Sequence, residues 1–428
     1  MVYVLNKYGK PLMPTTRYGR VRRLLRKSHA VVVDYRPFTI QLTYDTPNGV
    51  QEASLGVDAG TKHVGLSATT KKKVLFEAEL LLRSDIVEKL STRREFRRTR
   101  RNRKTRYRKS RFMNRTKSKK PGWLAPSVRQ KVDTHIHWIR KITTFLPIKK
   151  ITVETAQFDT QLLKAREQGL PLPQGTDYQK GEQLGFWNVR EYVLFRDGHK
   201  CQCCKGKSKD TKLQVHHIES RKTGGDAPNN LITLCSDCHA KYHRGEIALP
   251  KTVRRGNSLR NAVHMGIMRK SLFIHLNGEM GGEIPCFETF GYITKNTRIR
   301  YGLPKEHVID ARRISGNPGA CSDDKYMIIR KLRANNRQLQ RATILKGGIR
   351  KNNQAPYEVS GFRLMDSIVF AFGKCFVKGR RQSGFFSIAD ITGKVLNGSV
   401  SYKQLTLKHH NNTYIMEETA FHTSTKYV

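Results

Sequence analysis

Four cysteines in two short pairs carry the strongest chemical signal in the chain. Cys201 and Cys204 are separated by two residues, and Cys235 and Cys238 repeat this spacing after thirty further residues. Four thiolates arranged in two such knuckles can close a tetrahedral zinc site. Cys203 is a spare thiol, which could replace Cys204 only with awkward geometry. We therefore predict a structural Zn²⁺ at Cys201, Cys204, Cys235 and Cys238.

Histidines lie within and just after the same stretch, and a plain zinc ribbon would need none of them. Together with the cysteines they resemble the ββα-metal motif of HNH nucleases. The resemblance implies that His217 is the general base that activates water and that Asn230 braces this base. It also implies that His216 and His239 hold a divalent cation, Mg²⁺, against the scissile phosphate. His243, one helical turn beyond His239, could be a further ligand or a helix-face histidine, and we favour the second interpretation because such histidines are common.

Two acids at predicted strand ends and one helical motif form a second, dispersed set. Asp58 ends a buried strand before a glycine turn, and Glu154 ends another strand, while His307 and Asp310 open a predicted helix. A strand-terminal acid alone is more often a cap or a surface charge. In this order, however, the three segments resemble those of a RuvC-like nuclease with an RNase H-type fold. The resemblance implies that Asp58, Glu154 and Asp310 bind catalytic Mg²⁺ and that His307 assists near the attacking water.

Apolar spacing predicts the elements that must position these residues. Residues 127–145 carry apolar side chains at helical spacing, and a β-rich run over 148–155 leads to Glu154. The helix that follows Asp310 is the exception, since Arg312 and Arg313 stand where the RuvC-like pattern usually has an apolar face. The register of this helix is therefore open at the level of sequence.

The net charge points to a polyanionic partner. The 428 residues contain 81 Lys plus Arg and 34 Asp plus Glu, which gives 81 − 34 = +47. Five arginines with no acidic companion surround Val21 in a predicted helix over 17–27, and Arg22 and Arg23 are among them. Residues 93–120 contain sixteen basic residues and one acid, and this run predicts a long helix that binds nucleic-acid phosphates.

Composition also excludes several classes of protein. An apolar fraction of 37% is too high for a fully disordered chain, and no segment reaches the 18 apolar residues of a membrane helix. The N-terminus lacks the pattern of a signal peptide. The cysteines suit a metal site better than a disulfide framework, so we expect a cytoplasmic protein with no membrane partner.

The order of the motifs resembles the IscB family, the transposon-encoded relatives of the type II CRISPR effector nuclease. Pro11-Leu-Met-Pro14 matches that family's PLMP motif, and residues 93–120 match its arginine-rich bridge helix. The expected fold is α/β and multidomain: an RNase H-like mixed sheet split by the bridge helix and an HNH insertion, with a small β-rich C-terminal domain. The expected segments are a PLMP domain (1–51), RuvC-like segment one (52–90), the bridge helix (91–120), segment two and a linker (121–184), the HNH domain (185–250), segment three (251–322) and a C-terminal domain (323–428) for RNA and the target-adjacent motif.

The IscB resemblance implies an RNA-guided DNA endonuclease. One chain would bind one structured guide RNA (omega RNA) and pair it with double-stranded DNA, so that the HNH centre cuts the RNA-paired strand and the RuvC-like centre cuts the displaced strand. RNA contacts are expected from a set of arginines: Arg22, Arg23, Arg93, Arg94, Arg97, Arg98, Arg100, Arg101 and Arg103. Two alternatives stay open, a non-catalytic RNA-binding protein with a structural zinc unit and a freestanding HNH homing or restriction nuclease.

Overall fold

A computed structural model gives the architecture of the chain in two compact units. The larger unit is formed by described residues within 1–107, 126–158 and 268–428, and the smaller by those within 108–125 and 159–267. The structure describes residues 1–47, 49–86, 92–93, 95, 123–155, 169, 171, 188–208, 210–220, 228–250, 260–280, 282–332, 342–344, 350–352, 356–371, 373–411 and 413–421.

A three-stranded sheet and one helix begin the larger unit. The strands are β1 (Tyr3–Leu5), β2 (Ala30–Tyr35) and β3 (Phe38–Leu42), in the order β1-β3-β2. The predicted arginine helix is present as α1 (Tyr18–Arg26), which buries Val21 against the sheet core. Arg22 and Arg23 lie on its exposed side. Burial of one apolar side therefore fixes which way the arginines point.

A seven-stranded mixed sheet forms the centre of the larger unit. Its order is β10-β7-β4-β5-β6-β11-β21, in which β4, β5 and β6 form an antiparallel meander and β7 and β10 run parallel to β4. Its strands are β4 (Ala53–Asp58), β5 (His63–Thr69), β6 (Val74–Leu81), β7 (Ile148–Thr155), β10 (Cys286–Phe290), β11 (Lys325–Lys331) and β21 (Tyr414–Ala420). Leu55, Val57, Val64, Leu66 and Ile151 are fully buried, as expected for strands covered on both faces.

Two helices of the larger unit matter for the candidate site. The predicted helix over 127–145 is α2 (Pro126–Phe145), with Trp138, Ile139 and Ile142 buried. The second, α7 (His307–Ile314), lies close against β4 and β5 at two glycines. A Cβ at Gly56 would stand 2.0 Å from the carbonyl oxygen of Ala311, and one at Gly65 would stand 1.9 Å from that of His307. Only glycine permits this approach, which carries the start of α7 to the end of β4.

The smaller unit is a compact hairpin with helices on either side in sequence. It contains α3 (Val189–Arg196), β8 (Leu213–His217), β9 (Leu231–Cys235) and α4 (Ser236–His243), with β8 and β9 antiparallel. Ile232 and Leu234 pack with the cysteines in one cluster. Arg260–Met280 forms α5, the helix at the boundary of the two units.

The described part of the last hundred residues contributes to a five-stranded sheet, to the seven-stranded sheet and to two short strand pairs. A five-stranded sheet, in the order β19-β18-β17-β16-β20, confirms the prediction of β-rich structure there. Its strands are β16 (Ser367–Phe370), β17 (Gly373–Arg380), β18 (Phe385–Ala389), β19 (Val395–Ser401) and β20 (Thr406–His409). Two short antiparallel pairs precede this sheet in the chain: β12 (Ala342–Ile344) with β13 (Arg350–Asn352), and β14 (Glu358–Val359) with β15 (Phe362–Arg363). By contrast, β11 and β21 extend the seven-stranded sheet by pairing across a long sequence separation.

Several predictions fall outside the described residues. They concern most of the bridge helix, including Arg94, Arg97, Arg98, Arg100, Arg101 and Arg103, and most of the linker over 160–184. Arg93 is described and exposed. None of the helices in the described ranges is both long and apolar enough to cross a bilayer.

Candidate functional site

The four predicted zinc ligands converge in the smaller unit. The sulfur atoms of Cys201, Cys204, Cys235 and Cys238 all lie within 4.8 Å of one another, and those of Cys204 and Cys235 are 3.8 Å apart. Tetrahedral Zn²⁺ with Zn–S bonds of about 2.3 Å requires sulfur atoms about 3.8 Å apart. The thiol set therefore fits Zn²⁺ in both composition and spacing.

Protonation of these thiols is uneven. A hydrogen bond with Ser208 lowers the pKa of Cys204 to about 6, whereas burial raises the pKa values of Cys201 and Cys238. Buried thiols with raised pKa values are poor thiolates unless a cation offsets the charge. Cys203 stands apart, with its sulfur 3.9 Å from the carbonyl oxygen of Ala248.

Three histidines form a second cluster in the same unit, which we call the histidine centre: His216, His239 and His243. Each offers a ring nitrogen, and these nitrogens lie within 4.8 Å of one another. His216 is the penultimate residue of β8, directly before His217, and α4 presents the other two one turn apart. The interpretation of His243 as a plain helix-face histidine is incomplete, since it is exposed yet joins the cluster.

The histidine centre is electrostatically prepared to bind a metal. Burial, with the neighbouring histidines, lowers the pKa of His216 to about 4, and burial also lowers that of His239. Their rings are therefore neutral at pH 7, which is the form that ligates. Three imidazoles suit an ion of the first transition row better than Mg²⁺, which prefers oxygen. The donor set thus fits a divalent metal, but Mg²⁺ is its weaker match.

Asn230 fixes the chain just beyond His217. Its side chain is fully buried, accepts a hydrogen bond from the Glu219 amide at 2.8 Å and donates one to the Glu219 carbonyl at 3.0 Å. Its own carbonyl accepts from the Ile218 amide at 2.8 Å. Asn230 therefore holds the main chain at the exit of β8, where His217 is the last residue.

The predicted carboxylates lie at the carboxyl ends of inner strands of the seven-stranded sheet and in the helix beside them. We call Asp58, Glu154 and Asp310 the carboxylate centre. Asp58 and Glu154 end the parallel strands β4 and β7 and are direct partners in the register. The carboxyl ends of parallel strands meet at the same edge, so the pairing brings the two acids level. α7 adds Asp310 in its first turn.

Each acid of the carboxylate centre has a restraining partner. His307 Nδ1 donates to Asp58 Oδ2 at 2.6 Å, Thr294 Oγ1 donates to Glu154 Oε2, and Arg298 Nε lies 3.7 Å from Asp310 Oδ1. Thr294, a hydrogen-bond donor, and Arg298, an ion-pair partner, lie one turn apart on α6 (Gly291–Arg300). Among the described residues, the oxygens of the three acids do not form a group within 4.8 Å of one another.

The protonation of the carboxylate centre reflects crowded negative charge. Burial, with Asp58 and Asp310 adding to it, raises the pKa of Glu154 to about 7, although the hydrogen bond from Thr294 opposes this. Burial also raises the pKa of Asp310 against the pull of Arg298, and Asp58 raises it further. Like charges that raise one another's pKa values are relieved by a bound cation. This observation and the oxygen donors fit Mg²⁺.

The two arginines that left the register of α7 open have partners of their own. Arg312 donates twice to the buried carboxylate of Glu77, at 2.7 and 2.9 Å. Arg313 lies over the ring of Tyr301, 4.8 Å from its centroid. Val308, Ala311 and Ile314 form the buried face, so the helix keeps an apolar side while both charges are satisfied.

Sequence reasoning missed four residues beside the carboxylate centre. They are Thr294 and Arg298 on α6, and the pair His63 and Glu79, whose side chains meet at 2.7 Å. The ring of His63 stacks on that of His307, with centroids 5.4 Å apart and planes 7° apart. Hairpin pairing of β5 with β6 could have indicated the His63–Glu79 pair, since they are diagonal neighbours in that register. No sequence motif predicted α6, the helix that carries Thr294 and Arg298.

Two family models match parts of the chain. The family described as RRXRR protein matches residues 2–181, and the family described as HNH endonuclease matches residues 201–245. A stretch of 62 residues is 35% identical to Anaredoxin of Nostoc sp. (strain PCC 7120 / SAG 25.82 / UTEX 2576), which covers 14% of this chain and 79% of that protein. The chain thus contains a segment related to Anaredoxin.

Solved structures of Streptococcus thermophilus Cas9 are also similar to part of the chain. The complex with the AGGA PAM is 12% identical over 45% of this chain, with a TM-score of 0.28. The complex with the GGAA PAM is 12% identical over 50% of this chain, with a TM-score of 0.30. The chain spans 26% and 29% of the length of these two structures. At such TM-scores the superposition does not establish a shared overall arrangement.

Proposed function

The chain belongs to the IscB/Cas9-like nucleases, and from this premise we propose that it is an RNA-guided DNA endonuclease with two metal-dependent centres. A structured guide RNA pairs with target DNA beside a short adjacent motif. The histidine centre cuts the RNA-paired strand, and the carboxylate centre cuts the displaced strand. One observation carries the proposal: Asp58 and Glu154 are register partners, and His307 donates to Asp58 at 2.6 Å.

At the histidine centre, His217 acts as the general base. It accepts the proton of the attacking water, and the hydrogen bonds of Asn230 with Glu219 fix the chain that holds it. His216, His239 and His243 would hold a divalent ion, which when bound stabilises negative charge on the phosphate. The neutral form of His216 at pH 7 keeps its nitrogen available for this purpose.

At the carboxylate centre, the chain supplies oxygen ligands and an oriented imidazole. Asp58, Glu154 and Asp310 would hold Mg²⁺, which when bound stabilises the attacking and leaving oxygens. Nδ1 of His307 donates to Asp58, and this hydrogen bond raises the pKa of His307. His307 can therefore orient the attacking water through Nε2, and only its neutral form can accept a proton from that water.

Guide RNA binding is assigned to basic surfaces. Arg22 and Arg23 stand on the exposed side of α1, and the sixteen cations of residues 93–120 are the proposed bridge helix. The segment boundaries stated from the sequence remain part of the proposal, with one PLMP domain, a split RuvC-like domain, an HNH domain and a C-terminal domain. Affinity from such cations comes from phosphates and weakens with salt.

Strand-specific labelling of a supercoiled target tests the proposal. His217→Ala and Asp58→Ala should each convert a double-strand cutter into a nickase, and the nicked strands should differ. Each change removes a base or a ligand and spares the proposed RNA-binding surfaces, so target binding should persist in both variants. If either single change abolished cutting of both strands while binding persisted, two independent centres would be the wrong description.

A further inference from the structure

A basic cavity lies in the larger unit beside the carboxylate centre. Its volume is about 530 Å³, and it is lined by the ends of β5 and β6, by β11, and by loops and strands around the five-stranded sheet. Five Lys or Arg residues line it against one acid, Asp85, and this acid is paired with Arg83 at 2.9 Å. The remaining lining cations therefore give the cavity a net positive charge.

Two of these cations are held in place by main-chain carbonyls. Arg330 Nη1 donates to the carbonyl oxygen of Ile391 at 3.0 Å, and Lys378 Nζ donates to that of Gly393 at 2.6 Å. Gly393 has a φ of +87°, and a Cβ there would stand 2.4 Å from Arg330 Nη1. A carbonyl orients a cation without neutralising it, so the turn that ends at Gly393 fixes two charges at the cavity wall.

The rest of the wall is apolar. Leu81, Leu82, Leu332, Leu364 and Met365 line the cavity together with these cations, and Leu82 and Leu332 are each 7% exposed. Apolar side chains beside fixed cations match a nucleotide, which presents an aromatic base and an anionic phosphate. A small inorganic anion would contact only the cations and would leave the apolar side chains of the wall without a partner.

The position of the cavity indicates which strand it serves. His63 lines the cavity and stacks on His307, whose Nδ1 hydrogen-bonds to Asp58. One ring stack and one hydrogen bond thus separate the cavity from the candidate ligands of the carboxylate centre. A strand whose scissile phosphate lies at Asp58 can therefore place a neighbouring nucleotide at the cavity.

We propose that the basic cavity binds one unstacked nucleotide of the DNA strand that the carboxylate centre cuts. The base lies against Leu332 and Met365, and its phosphate is bound by Lys62, Arg330 and Lys378. The cavity thereby sets where along the displaced strand the scissile phosphate stops. This inference rests on the proposed function of the carboxylate centre.

Position-specific crosslinking of the RNA-loaded protein tests the inference. 4-Thiothymidine is placed at successive positions of the displaced strand of a guide-matched target, and irradiation is done in Ca²⁺ so that no cutting is needed. The variant Lys62→Gln/Lys378→Gln is compared with Lys72→Gln/Lys374→Gln, which removes two exposed lysines from the same hairpin and the same strand outside the cavity.

Crosslinks to residues of the cavity should concentrate at one or two positions next to the cut. Crosslinking at these positions should be about tenfold weaker in the cavity variant. The slope of the logarithm of the binding constant for the DNA strand against the logarithm of salt concentration should fall in magnitude by about 1.4, or roughly 0.7 per lost single-strand contact. The control variant should match the unaltered protein.

Two results would overturn the inference: crosslinks spread evenly along the strand, or cavity crosslinks that come from the guide RNA alone. Failure of the proposed function would look different. In that case no Asp58-dependent nicking would occur, whereas the crosslinking pattern, which needs no catalysis, would still report whether the cavity holds a nucleotide.

Discussion

The histidine centre and the carboxylate centre gather their ligands in different ways. The nitrogens of His216, His239 and His243 lie within 4.8 Å of one another. At the carboxylate centre each acid is instead drawn to its own partner, His307, Thr294 or Arg298. Both sets come from elements that the fold places side by side, so packing alone does not explain the difference.

Charge explains it. Neutral imidazoles can be brought together at small electrostatic cost, whereas three carboxylates repel unless a cation or a proton lies between them. Burial, with the charges of Asp58 and Asp310 adding to it, raises the pKa of Glu154 to about 7. We therefore expect the fold alone to gather the histidine centre, whereas the three acids of the carboxylate centre should need a cation to draw them together.

The largest expected effect separates the centres through the zinc cluster. Cys238→Ser should remove the zinc. The rate at which the histidine centre cuts the RNA-paired strand should then fall on the order of a thousandfold, within the range attributed to a well-placed general base. The reason is that Cys238 directly precedes His239 on α4. The carboxylate centre should still nick the displaced strand. Zinc analysis with strand-labelled cutting measures both effects.

Cys203→Ser is the matched control for this change, since its thiol lies outside the cluster. It should retain one zinc per chain and both cuts. Two outcomes would contradict this prediction: a Cys238→Ser protein that keeps its zinc, or one that loses both cuts together. In either case the histidine centre would not be distinguished from the carboxylate centre by its need for zinc.

The next effect concerns His243. His243→Ala should weaken metal binding at the histidine centre by roughly 10- to 100-fold, at least the loss seen when a residue that supports a metal ligand is removed. Titration of Mn²⁺ against cutting of the RNA-paired strand gives the shift. Lys241→Ala, on the same helix and paired with Asp237, should leave the titration unchanged. If His243→Ala and the unaltered protein gave the same Mn²⁺ titration, His243 would be a plain surface histidine and not a metal ligand.

The smallest effect is a contrast in pH dependence. Glu154, with a pKa near 7, must lose its proton to bind Mg²⁺, so protons compete with the metal as the pH falls. The Mg²⁺ needed for half-maximal cutting of the displaced strand should rise about tenfold per pH unit below 7. His216, with a pKa near 4, is already neutral in this range.

Protonation of His216 should therefore not raise the metal needed to cut the RNA-paired strand between pH 8 and 6, and the shift for this strand should be smaller than that for the displaced strand. The two strands can be followed in one reaction at each pH, which provides an internal control. Parallel shifts for both strands would show that the centres are not protonated independently.

The sequence predicted the two centres unequally, for physical reasons. The cysteines and histidines lie within a local motif, so their spacing alone places them on one hairpin and one helix. Asp58 and Glu154 could be paired because both end buried strands, but Thr294 and Arg298 reach the acids from α6, a helix with no signature. β11 and β21 were likewise unpredictable as members of the central sheet, because their pairing joins distant segments.

The glycine contacts beneath α7 set an order of events during synthesis. Gly56 and Gly65 are made early, whereas the helix that docks on them begins at His307, after the entire cysteine and histidine segment. A nascent chain that stops short of this helix contains Asp58 and Glu154 but has neither His307 nor Asp310. The ribosome must therefore finish the histidine centre before the chain can complete the carboxylate centre, and under the proposed function a truncated product lacks the second of the two cutting centres.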